Sequence, residues 1–347
     1  MTITGGCIAA HTEIKSQSHL IAPVTLALLL TAALASADET RARYLMGTTC
    51  TITASHDQSI ERAFSEIDRI ERRISSWKPE SELSRVNRAP VGEPQAVSPE
   101  LSELLRETVR WHRETGGAFN PLLGPLVHAW RVREEGAIPI PEALVELRKR
   151  IAIENLVLGD STLSRMGEAQ IEEGGFGKGY AIDRAVDVAR AAGAKRVVID
   201  FGGQIGAYGI ERGFEVGIAH PESRERAALM LRIRDGSIST SSGSERRFRI
   251  GGRELSHIID PRTGEPLPPS GSATVIHPSA LVADILSTAL YVLGPRDGLA
   301  WADARDIAAI FLVPDHSNGN YSVLRSRAAR RDELELRAID EHFEMRN

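Results

Sequence analysis

Residues 196–250, RVVIDFGGQIGAYGIERGFEVGIAHPESRERAALMLRIRDGSISTSSGSERRFRI, decide the fold class. Residues 196–201 read as a buried strand ended by Gly202-Gly203, and residues 214–219, 229–234, 237–241 and 246–250 follow as short, often alternating strands, a run with the look of a meander. Working outward, residues 43–54 are a β-branched strand with Met46-Gly47-Thr48 at its start. Ile60, Phe64, Ile67, Ile70 and Ile74 then recur at helical spacing. Ser98-Pro99 opens a helix that Gly116-Gly117 stops, and two prolines forbid regular structure in residues 118–126. A helix follows Pro141, residues 156–163 with Ile171 make a pair of short strands, and residues 307–313 are a last buried strand. The tail from about residue 325 is charged, with little core signal. Helices and strands do not alternate strictly, so the expected fold is α+β rather than a doubly wound sheet.

The chain has 347 residues, enough to bury a large core, and its net charge of -5 gives no reason to expect nucleic acid as a partner. Residues 20–37, LIAPVTLALLLTAALASA, are an apolar run ending in Ala35-Ser36-Ala37 and followed by Asp38-Glu39-Thr40. Such a run reads as a secretory signal with a small-residue cleavage site, or alternatively as an uncleaved anchor. The expectation is a signal peptide over residues 1–37, export to the periplasm, and a mature domain over residues 38–347. The segment ahead of the run leaves the true start open. Cys7 precedes the run and Cys50 stands alone after it, so neither a lipid-attachment cysteine nor an internal disulfide is expected.

Three stretches concentrate chemistry. In Ser256-His257-Ile258-Ile259-Asp260-Pro261-Arg262-Thr263-Gly264, Asp-Pro and Thr-Gly make a good reverse turn, which leaves His257 unexplained. In residues 172–183, EEGGFGKGYAID, four glycines precede a helix and put Lys178 at its N-terminus, where backbone N–H groups favour an anion. Close helix packing through small residues is the alternative. The spacing is neither a P-loop nor a dinucleotide fingerprint. Asp284 and Thr288 fall at i and i+4, on the face of a helix away from Val282, Ile285, Leu286 and Ala289. They are either a solvated acid with a back-bonded threonine or two hard oxygens for Mg²⁺ or Ca²⁺.

Taken in order, Met46-Gly47-Thr48, Ser81-Glu82-Leu83 with Asn87, Gly117-Ala118-Phe119-Asn120-Pro121, the Gly-rich stretch, Asp200-Phe201-Gly202-Gly203-Gln204, the His257 stretch and Ala283-Asp284-Ile285-Leu286-Ser287-Thr288 resemble the ApbE family of FAD:protein FMN transferases. The resemblance implies an α+β, mixed-sheet, T-fold-related domain that cuts FAD at its diphosphate. The FMN half would pass to a Thr or Ser hydroxyl of an acceptor flavoprotein of an electron-transfer system, with release of AMP. It further implies Mg²⁺ held by Asp284, Thr288 and a backbone carbonyl at Gly177, and His257, Lys178 and Asp260 as reacting groups. Met46, Ser81, Glu82, Asn120, Lys178, Asp183, Gly202, Gly203 and Thr263 would contact FAD. Ser81 also reads as an N-cap.

The chain departs from the pattern at Asn120, where the family usually has Asp, and at Leu122, where it has Thr. Glu173 stands where an apolar residue is usual, and Ser244-Glu245 where Asp-Tyr is common. The rival expectations are an FAD pyrophosphatase and an exported flavin-binding protein without catalysis. The identity of the acceptor, the cation and the oligomeric state stay open.

Overall fold

The structure, a computed structural model, describes residues 38–331 and 334–346; the apolar run and its cleavage site lie outside them. The chain begins with β1 (Glu39–Leu45) and β2 (Thr48–Ala54), followed by α1 (Asp57–Ile74), α2 (Glu82–Arg88), the short β3 (Gln95–Ala96) and α3 (Pro99–Glu114). Next come α4 (Gly124–Trp130), α5 (Pro141–Arg150), β4 (Leu156–Leu158), β5 (Thr162–Arg165) and α6 (Gly177–Ala191). The strand-rich part holds β6 (Val197–Phe201), β7 (Gln204–Tyr208), β8 (Phe214–His220), β9 (Ser223–Ile233) and β10 (Gly236–Ser242). It continues through β11 (Arg247–Ile250), β12 (Arg253–Ser256), β13 (Ile259–Asp260), β14 (Glu265–Pro266) and β15 (Ser272–His277). The last elements are α7 (Ala280–Ala304), β16 (Ala308–Pro314), β17 (Tyr321–Arg325), β18 (Arg337–Ala338) and β19 (Phe343–Met345).

The organising sheet has the order β1-β2-β6-β7-β10-β15-β16-β17-β19, antiparallel except for the β17–β19 pair. On one face α1, α6 and α7 pack through a core that includes Ile52, Phe64, Ile67, Ile199, Val275 and Leu286. On the other face the small sheet β18-β9-β8 seals a second core, in which Val198, Ile238 and Ile310 of the main sheet meet Val216, Ile218 and Leu231. Alternation along β10 serves both layers, with Ile238 in the second core and Ser239 and Ser241 against α7.

Several expectations change. Residues 43–54 are a hairpin rather than one strand: Met46 and Gly47 both take positive φ (45° and 78°) between Leu45 and its partner Thr48, the geometry of a two-residue turn. Gly202 and Gly203 end the strand as expected, and they also turn β6 into its neighbour β7, with φ of 63° and 91° between the paired Phe201 and Gln204. The meander is split, because β8 and β9 leave the main sheet and β11–β12 forms a separate hairpin. Gly124 already begins α4, since Pro125 sits in its first turn, where no N–H is needed. The charged tail carries core: Phe343 and Ala329 are buried, β19 extends the main sheet and β18 pairs with β9. Helix α7 is interrupted at Gly294 (φ 79°) just before Pro295.

Candidate active site

The site forms where the N-terminus of α6 meets the first half of α7. Gly179 permits the meeting, because a Cβ there would lie 2.3 Å from the carbonyl oxygen of Ala280 and 2.8 Å from Asp284 Cβ. The Gly179 N–H donates to Asp284 Oδ2 at 3.0 Å, so one oxygen of that buried carboxylate is anchored on the glycine-rich loop. One helical turn on, the Thr288 hydroxyl faces the same loop, 3.7 Å from where a Cβ on Gly175 would stand. Neither residue is on a solvated face; both point at the loop that contains Gly177. Around Gly177, the Met46 methyl and the Glu173 stem would lie 3.3 and 3.2 Å from a Cβ.

Lys178 occupies the first turn of α6, and its ammonium makes no hydrogen bond or close ion pair among the described residues. Its pKa is held above the ordinary lysine value chiefly by the charge of Asp284. Burial raises the Asp284 pKa despite the nearby ammonium. Glu245 acts electrostatically on Lys178, Asp284 and His257 alike. His257 is half-buried, with its backbone N–H on the Arg246 carbonyl at 3.0 Å. Burial lowers the imidazole pKa below its ordinary 6.5, Glu245 opposes the shift and Lys178 adds to it. The neutral base form therefore prevails near neutral pH. Thus His257, Lys178 and Asp284, far apart in sequence, share one electrostatic neighbourhood.

Other expected site residues have structural partners. Asp260 is committed to its turn: the carboxylate accepts from the Arg262 backbone N–H at 2.8 Å and from its guanidinium at 2.7 Å, and Arg262 also reaches the Val292 carbonyl. These bonds make Asp260 a loop-shaping acid. Thr263 Oγ1 accepts from the Glu265 N–H within the same turn. Ser81 is the N-cap of α2, accepting from Ser84 N–H at 2.9 Å, and Glu82 receives Ser98. Asn120 bridges the Ile151 carbonyl and the Leu122 N–H. The Asp183 carboxylate caps α7, taking Ser279 Oγ at 2.6 Å and the Ala280 and Leu281 N–H groups at 2.7 and 3.0 Å. Gly202 and Gly203 line a cleft of about 450 Å³ whose wall also includes Arg224, Thr240, Ser244 and Glu245. A separate groove of about 480 Å³ is lined by Asn120, Arg148, Lys149 and Arg262; neither it nor the cleft has Lys178, His257 or Asp284 in its wall, and Glu245 is the cleft residue that acts on all three.

Sequence reasoning missed Arg224, which donates to the Gly202 carbonyl at 2.8 Å and acts on Lys178. It also missed Ser241, 3.2 Å from Thr288 Oγ1. Arg224 sits in a strand with no local pattern to mark it, whereas the alternation of small hydroxyls along β10 marked a face without saying what it faced.

Fold and site together define an α+β protein with an unpaired ammonium, a buried carboxylate and a hydroxyl converging on a glycine-rich helix start, equipment suited to a phosphate-bearing ligand. The ApbE family pattern matches residues 46–311, and the chain belongs to that family. It is 32% identical to an FAD:protein FMN transferase of Vibrio cholerae over 262 residues, covering 72% of this chain and 78% of that protein. Identity to an FAD:protein FMN transferase of Treponema pallidum is 30% over 305 residues, covering 79% and 84% of the two chains. The crystal structure of the Pseudomonas stutzeri flavinyl transferase ApbE in its apo form superposes with a TM-score of 0.75 at 25% identity, covering 86% of this chain and 97% of that one.

Proposed function

We propose that this chain transfers FMN from FAD to a Thr or Ser hydroxyl of an exported acceptor flavoprotein and releases AMP. The observation that carries the proposal is the Lys178 ammonium, without a hydrogen-bond or close ion-pair partner among the described residues, in the field of Asp284 and within electrostatic reach of a neutral imidazole. In the reaction the acceptor oxygen bonds to the FMN phosphorus, and the bond from that phosphorus to the bridging oxygen breaks. The bridging oxygen leaves on AMP, and the hydroxyl proton passes to His257. Lys178 and the N–H groups at the start of α6 offset charge on the diphosphate as it moves to the leaving oxygen.

The donor set fits a hard cation. No group of three or more His, Cys, Asp or Glu side chains able to hold a metal occurs among the described residues. What converges is one carboxylate, one hydroxyl and the loop around Gly177, an all-oxygen set suited to Mg²⁺. Asp284, Thr288 and the Gly177 carbonyl would hold the ion, which would neutralise diphosphate charge. Met46, Gly202 and Gly203 would line the FAD site. Asp183, Ser81, Glu82, Asn120 and Thr263 support it through the caps and turns already described. Location in the periplasm rests on the apolar run of residues 20–37.

The test incubates the protein with FAD, Mg²⁺ and a candidate acceptor domain. The expected result is the FMN mass on the acceptor and one AMP per adduct. AMP with free FMN and no adduct would replace the proposal with a pyrophosphatase, and intact FAD with a flavin-binding protein. Lys178→Ala should lower transfer by roughly 10²–10³-fold, the scale for losing one charge-stabilising donor. His257→Ala should abolish transfer while FAD still binds.

A further inference from the structure

Beneath Thr288 lies a chain of hydroxyls with a determined direction. Ser241 Oγ is 3.2 Å from Thr288 Oγ1 and 3.0 Å from Ser287 Oγ. Ser239 Oγ is 3.2 Å from Ser287 Oγ, and Ser287 Oγ bonds the Asp284 carbonyl at 3.0 Å. A carbonyl can only accept, so the Ser287 proton points at Asp284. Ser287 then has only lone pairs to offer, and both Ser239 and Ser241 must donate to it. With its single proton on Ser287, Ser241 can only accept from Thr288. The Thr288 proton is therefore drawn away from the glycine-rich loop, towards β10.

We infer that Ser241, through Ser287, fixes the Thr288 hydroxyl as a pure acceptor towards the loop, making Ser241 a positioning residue for a hard divalent cation at Asp284 and Thr288. This rests on the cation reading of the site given above. A hydroxyl ligates a cation through a lone pair, and a proton free to rotate into the site would repel the ion. The direction is imposed at the far end of the chain by a backbone carbonyl of the same helix turn that carries Asp284. Carboxylate position and hydroxyl polarity are in this way set by one piece of backbone. Ser287 is fully buried and Ser239 nearly so, which shields those links of the chain from exchange with water.

The test measures Mn²⁺ binding to the FAD-free protein by electron paramagnetic resonance, with Mg²⁺ as competitor. Ser241→Ala releases the Thr288 proton and is expected to weaken Mn²⁺ roughly tenfold, the lower end of what loss of an outer partner does to metal sites. Ser241→Thr, which keeps the hydroxyl, should restore affinity. Ser239→Ala removes a donor to Ser287 without altering the Thr288 direction, and should stay within about twofold of wild type. The inference is overturned by a Ser241→Ala protein that binds Mn²⁺ as wild type does. It is equally overturned if Ser239→Ala loses as much affinity as Ser241→Ala, since packing would then account for both. Wild-type protein that binds no Mn²⁺ would remove the cation reading as well, whereas a failure confined to the variants leaves that reading intact.

Discussion

Glu173 is an acid on a buried turn at the edge of the site, with Oε2 buried and lacking any hydrogen-bond partner. Burial, helped by the neighbouring Glu172 charge, raises its pKa from the ordinary 4.5 to about 7. Glu172 itself is paired with Arg133 at 2.6 Å, whereas Glu173 stays predominantly protonated up to about neutral pH. Between pH 4.5 and about 7 the folded protein holds a proton that the unfolded chain has released, so stability falls as pH rises through that window. Glu173→Gln removes the ionisation. It should match wild type near pH 4 and exceed it at pH 8 by on the order of 3 kcal/mol, as read from urea unfolding at the two values. A difference that does not grow with pH would mean that the carboxylate has found a partner. His257 gives a second prediction. Glu245 supports its protonated form, so Glu245→Gln should move the acid limb of the kcat/KM profile for transfer to lower pH; an unmoved limb would assign the limb to another group. The departure at Glu173 could be seen in the sequence, but its consequence could not, because burial and the missing partner are properties of the folded neighbourhood.

At the level of the elements, the glycine-rich stretch admitted two readings, close packing and an anion loop, and the structure assigns them to different glycines. Gly179 is the packing residue: a Cβ 2.3 Å from the Ala280 carbonyl oxygen would force α6 and α7 apart. Gly175 has more room, with Phe119 at 3.4 Å and Thr288 Oγ1 at 3.7 Å from where a Cβ would stand. Gly179→Ala should therefore cost about 1–3 kcal/mol by overpacking and disturb the N–H bond to Asp284, while Gly175→Ala should cost less. Thermal unfolding of the two variants side by side decides, and equal losses would contradict the assignment. The helices themselves were legible, since apolar spacing marks α1, α3, α6 and the first half of α7. Their joint was not. Asp183 caps α7 across about a hundred residues of chain, and no local pattern distinguishes such a cap from a ligand-binding acid.

At the scale of the molecule, strand existence was readable and strand partnership was not. Alternation reports that one face is buried without saying against what, so β8 and β9 looked continuous with β6 and β10 although they form the opposing layer. The tail was misjudged for a related reason. Its strands β18 and β19 have two and three residues, too few to show a period, yet β18 pairs into the layer that covers the second core and β19 extends the main sheet. Phe343 stacks on Tyr321 with ring centroids 4.7 Å apart, and His220 meets both rings edge-on at 5.1 and 5.3 Å. His220 also lines the cleft beside Gly203 and Arg224, so the far end of the chain buttresses a wall of the site. Phe343→Ala should cost about 3–5 kcal/mol, as for other buried phenylalanines, and a chain ending at Arg331 should lose more, because β18 leaves β9 as well. The truncation should also weaken FAD binding if that ligand occupies the cleft. Lys178 lies on α6, Asp284 and Thr288 on α7 and His257 on the loop after β12, none of them on the tail, and a weakly bound but saturating FAD should still be turned over. Urea unfolding gives the stability of each form, and transfer assayed over a range of FAD concentrations separates KM from kcat. A truncated chain with unchanged stability would show that the second core is complete without its last strands, and a fall in kcat at unchanged KM would tie the tail to the chemistry rather than to the cleft.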